Sequence, residues 1–168
     1  GTITVSGTSG EQIAAGNGIT VNGTKQVGGI AGDNQGELQG SAGAYLVSSA
    51  DKVHATQGLA GGIAGVSKGS IRYAASRCGS VQADEGEAGG ITGVNRAGQG
   101  IRDCINYGTV TSSDGYAGGI TATNAGTITN CQVKAADKGT LKIHSAGVKE
   151  SGAICGINTG VISAANDS

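Results

Sequence analysis

Four cysteines, two histidines and a short run of acidic residues are the side chains of this 168-residue chain whose types and spacing could support metal, redox or acid–base chemistry. Cys78, Cys104, Cys131 and Cys155 form no Cys-x-x-Cys pair, so the spacing that grips a zinc ion is missing. Asp84, Glu85 and Glu87 precede Gly89-Gly90, and Asp114 precedes Gly118-Gly119. Two carboxylates with loop carbonyls suit a hard cation such as calcium, which takes oxygen ligands. Glu85 and Asp114 are the candidates, since each stands six residues before an isoleucine that follows a glycine pair. Acidic loop residues are also ordinary solvated surface, and the calcium-binding pattern Gly-Gly-x-Gly-x-Asp does not occur. Both readings stand at this point. No other metal, cofactor or catalytic residue is expected.

Other active-site constellations fare worse. A glycosidase needs paired carboxylates, and a lyase needs a base beside an arginine or metal that neutralises developing charge. Arg72, Arg77, Arg96 and Arg102 fall in nearby coils, but Tyr45, Tyr73, Tyr107 and Tyr116 do not all share one column that could form a sugar platform. Ser, His and Asp residues are too dispersed for a triad, and no Gly-x-x-x-x-Gly-Lys run precedes a helix. Thr109, Thr111, Thr121, Thr127 and Thr129 raise the alternative of an ice-binding threonine face. As a set they are not repeated in the earlier coils. The 11 basic and 12 acidic residues are scattered and leave a net charge of −1, so no basic track for nucleic acid is expected. No apolar run reaches the ~20 residues of a membrane span.

The elements that must position these residues come from a repeat. Glycine occurs 34 times, while Pro, Met, Trp and Phe are absent and Tyr occurs 4 times. An interior built from this chain is therefore narrow and made of small aliphatics, without the large area that aromatics bury. Gly-Gly-Ile or a close variant recurs with its isoleucine at Ile30, Ile63, Ile91, Ile120 and Ile154, giving spacings of 33, 28, 29 and 34. A second block follows each, at Leu38, Ile71, Ile101, Ile128 and Ile162. A third appears in Gly79-Ser80-Val81, Gly108-Thr109-Val110 and Gly139-Thr140-Leu141. Each block is short, β-branched and bounded by glycine, as a strand between turns should be. One such unit cannot bury its apolar face alone, whereas stacked copies can. The expected fold is all-β: a right-handed parallel β-solenoid of about five coils of 28–34 residues, with three short strands per coil, in one domain over 1–168.

Stacking turns equivalent positions into columns. Asn34, Ser67, Asn95, Asn124 and Asn158 each lie four residues after the repeat isoleucine, and asparagine both tolerates tight turns and bonds between coils. An Asn ladder is expected there. Cys104 and Cys131 each follow a block isoleucine by three residues and should stack as buried thiols. A disulfide fits less well, because a rung of about 4.8 Å exceeds the Cβ separation that disulfides prefer. Alternation places Val53 and Ile143 inward and His54 and His144 outward, about three rungs apart and solvated.

The pattern Gly-Gly-Ile-x-Gly-x-Asn-x-Gly-x-Ile-x-x-Cys, continuing to Gly-Thr-Val, resembles the GLUG-motif repeats of bacterial cell-surface proteins, which also occur in IgA-specific metallopeptidases outside the protease domain. The likeness is best over 89–133 and extends over most of 21–165. It departs at Ala122, at Ala153 and through 39–57. What the resemblance implies is an extracellular or cell-surface, bacterial, non-catalytic region, and it carries over no catalytic residue. The expected function is a structural display stalk or adhesion module. A face that binds carbohydrate or a host surface protein is the alternative; a polysaccharide-active enzyme and an ice-binding solenoid rank below it. Gly1-Thr2-Ile3-Thr4-Val5 reads as a second block without its first, so the chain is expected to be a piece of a longer surface protein.

Overall fold

The computed structural model describes residues 2–4, 14–15, 18–135 and 139–164. Its strands form five sheets, and every strand pair is parallel. The chain visits the sheets in the same order on each circuit and returns one rung further on. This is a parallel β-solenoid of about five turns.

One circuit runs through Ser80–Ala83, Ala88–Gly89, Thr92–Asn95, Gly100–Arg102 and Ile105–Asn106, and Thr109–Ser112 opens the next. Five strands per coil replace the expected three. The Gly-Gly-Ile block is two strands with a bend between them. A further strand of two or three residues lies between the second and third blocks. That element has weak strand chemistry: Ala74–Ser76 contains only Ala and Ser, and Ile105–Asn106 is too short to show alternation.

Register is kept from rung to rung. Leu38 pairs with Ile71, then Ile101, Ile128 and Ile162 continue the column, and Ile3 pairs with Leu38 at the other end. Val21, Val53, Val81, Val110 and Ile143 form another column. Two sequence expectations need correction here. Ile143, not Leu141, is the partner of Val110, so the third block of that coil lies two residues later than its Gly-Thr-Leu suggests. Segment 39–57, which matches the repeat poorly, still supplies the in-register strands Leu46–Ser48 and Lys52–Ala55.

The repeat isoleucines form the spine. Ile63, Ile91 and Ile120 are fully buried, and Ile30 and Ile154 pack against the same core from either end. The N–H groups of Ile30, Ile63, Ile91 and Ile120 each donate to the carbonyl of the next isoleucine, at 2.8–2.9 Å. Each of these carbonyls also accepts from the residue after the preceding isoleucine, as Ala64 N–H does to Ile91 O at 3.0 Å. Burying each side chain is worth roughly 1.5–3 kcal/mol.

Buried side chains fall into two separate clusters, one around the Ile63–Ile71–Leu46 positions and one around Val53, Val81 and Val110. The glycine pairs stand where the walls between them meet. A Cβ on Gly29 or Gly62 would strike the hydroxyl of Ser48 or Ser76, and one on Gly90 would strike the Asn106 amide. The first glycine of each pair is excluded from having a side chain for another reason. A Cβ on Gly61, Gly89 or Gly118 would overlap the carbonyl of the residue three further along. One departure from the motif is explained by local space: Ala153, in the last described rung, is exposed. The other, Ala122, has no structural explanation, since a Cβ on Gly93, its neighbour in the column, would meet Gly65 O at 2.8 Å.

Candidate functional site

The interior of the middle coils is filled by side chains, so chemistry there must come from buried polar columns or from the outer faces. The Asn column is present. Asn34, Ser67, Asn95 and Asn124 are all buried. Asn95 Nδ2 donates to Asn124 Oδ1 at 2.8 Å, and Asn124 Nδ2 donates to Asn158 Oδ1 at 2.7 Å. The same amides close a local turn: Gly36 N–H donates to Asn34 Oδ1 and Gly160 N–H to Asn158 Oδ1, both at 3.2 Å. Ser67 interrupts the ladder. It accepts from Asn34 Nδ2 at 3.3 Å but donates back to Gly69 O at 2.7 Å, leaving buried Asn95 Oδ1 without a partner.

A second polar column was missed by the sequence reading. Ser48, Ser76 and Asn106 stack in register at the waist, all fully buried. Asn106 Nδ2 donates to Gly108 O and Gly108 N–H donates to Asn106 Oδ1, each at 2.9 Å. Its signal was available, because Asn106-Tyr107-Gly108 repeats the Asn-x-Gly order of Asn34, Asn124 and Asn158. A left-handed corner was also unforeseen. Tyr73, Asp103 and Asn130 have φ of 47°, 54° and 51° on successive rungs, a conformation that Asn and Asp adopt more readily than Tyr.

Glu85 and Asp114 occupy equivalent corner positions on adjacent rungs, since Ala83 pairs with Ser112, and both are exposed. No third acidic, His or Cys side chain joins them in a metal-holding group among the described residues. His54 and His144 do lie in one column, three rungs apart. His54 is not merely solvated: its Nε2 is 2.9 Å from Asp84 Oδ2. That bond, aided by Gln82, holds the Asp84 carboxyl below its ordinary value. The four cysteines are unpaired. Burial pushes the Cys104 thiol well above the ordinary thiol range, which suits a small hydrophobe better than a nucleophile.

Aromatic and basic residues are partly gathered. The Tyr45 and Tyr73 rings meet edge-on at 6.1 Å, and the Arg77 guanidinium lies 4.6 Å from the Tyr107 ring centre. Arg72 and Arg102 are in register on adjacent rungs. The threonines are spread over three sheets, with Thr109 and Thr111 on one, Thr121 on another and Thr127 and Thr129 on a third. Compared with known proteins, the chain matches no family model, no curated protein and no solved structure.

Two stability predictions follow from the orphaned polar atoms. Ser67→Asn should complete the ladder by donating to Asn95 Oδ1, raising stability by about 1 kcal/mol; an unchanged or lower melting temperature contradicts the ladder geometry. Glu87 is the second case. Its Oε2 is buried without a partner, and desolvation raises its pKa above 4.5, opposed by Thr123 and Arg96. A carboxyl with a raised folded-state pKa weakens the fold when ionised, and the penalty disappears once pH falls below the unfolded value. Glu87→Gln should therefore melt higher than the parent at pH 7 and equally below pH 4.5. A gain that persists in acid would point to packing rather than charge.

Proposed function

We propose that this chain is a non-catalytic structural module, a rigid display stalk or adhesion segment of a bacterial surface or secreted protein. The observation that supports it most is the unbroken register: five sheets keep their pairing across successive coils, so length is added in steps of one rung without changing the cross-section. The GLUG-like repeat supports the extracellular setting. Chemistry on the outer faces is sparse, and Glu85 and Asp114 offer two exposed carboxylates on one corner as the remaining calcium candidate. The second reading is an outward face that binds glycan or a host surface protein.

Removing one whole coil tests the stalk. Thr92 pairs with Thr121, so deletion of 92–120 joins Ile91 to Thr121 in register. The shortened chain should fold cooperatively, be shorter by about 4.8 Å, and still present an epitope fused to its end on a bacterial surface. Failure to fold would contradict the stalk reading. Polysaccharide turnover by the parent chain, lost on changing one Asp, Glu or Arg, would overturn the non-catalytic assignment.

A further inference from the structure

Gly100 is unlike the glycines of the waist. A Cβ built on it meets no atom within 4 Å, and its φ lies outside the left-handed region, so neither space nor backbone requires glycine there. It interrupts an outward column in which Glu37, Ser70, Thr127 and Val161 all carry side chains. The gap opens a cleft of about 290 Å³ bordered by Ser70, Arg72, Gln99, Arg102, Thr127 and Thr129.

Two arginines flank that cleft on adjacent rungs, with side chains 52% and 57% exposed. Like charges held in register repel one another, and an anion between them converts repulsion into attraction. Each meets a carboxylate through Nε: Arg102 Nε donates to Asp103 Oδ2 at 3.1 Å, and Arg72 Nε is 4.0 Å from Glu37 Oε1. The terminal guanidinium nitrogens make no hydrogen bond among the described residues. Guanidinium forks bind planar or tetrahedral oxyanions in bidentate fashion. Around them stand hydroxyls of Ser70, Thr127 and Thr129 and the Gln99 amide, which match sugar hydroxyls. No aromatic ring borders the cleft on which a nucleobase could stack.

We propose that this cleft is a binding site for an anionic polysaccharide, with a sulfate or uronate carboxylate held between Arg72 and Arg102 and the adjoining sugar seated over Gly100. The inference deepens the glycan-binding reading and stands apart from the stalk role, whose coil-deletion test does not involve binding.

The test measures binding of the full chain to dextran sulfate, polygalacturonate and neutral dextran at low and raised salt. The parent should bind at least one charged polymer and not dextran, and should release it with salt; which polymer it holds identifies the anion. Gly100→Gln fills the cleft and should weaken binding by about ten- to hundredfold with the melting temperature kept. The double variant R72Q/R102Q, altered only on exposed side chains, should lose it as well. Binding of neither charged polymer overturns the proposal. So does a folded Gly100→Gln chain that binds like the parent, or a double variant that does.

Discussion

Facing walls meet at the glycine pairs, and the whole fold is built around that close approach. With no Phe, Trp or Met to fill it, the interior must be thin, and opposite walls must approach until backbone meets side chain. Gly29, Gly62 and Gly90 allow this against Ser48, Ser76 and Asn106. The result is two slender apolar clusters in place of one broad core. Each coil adds only a handful of small side chains to a cluster, so a coil draws much of its stability from the coils stacked against it. Stability then accumulates along the stack rather than outward from a centre.

Buried polar residues fix which coil position lies over which. An asparagine amide at a corner serves both purposes: it satisfies its own turn, as at Gly36 and Gly160, and it reaches its counterpart one rung on. Slipping a coil by one residue would strand these amides without partners, at a cost comparable to losing a hydrogen bond for each. Imperfections in the columns are local. Ser67 leaves Asn95 Oδ1 unsatisfied, and Ser76 Oγ lacks a partner at the waist, while the backbone ladder continues past both.

The isoleucine spine, the second-block column and the Asn ladder were legible because each uses residues whose type is forced by position. The two extra strands per coil were not, since two-residue elements such as Ala117–Gly118 carry no periodicity. The shift from Leu141 to Ile143 was hidden because Gly-Thr-Leu imitates the block, while pairing is decided by which aliphatic reaches the Val110 column. Partners across rungs were harder still. Asp84 meets His54 from 30 residues further along the chain, and the register that joins them shows only when coils are stacked. Outward positions such as Gly100 are hardest to read, because the fold places no demand on them.

This chain is a one-dimensional stack whose rungs are held by their neighbours. Native-state hydrogen exchange of the spine amides tests it most directly, since protection reports the free energy of local opening. The Ile63 and Ile91 N–H groups, with coils on both sides, should exchange most slowly, and protection should fall coil by coil toward Ile30 and toward the last described rung. Uniform protection along the chain, or fastest exchange at Ile91, would contradict it.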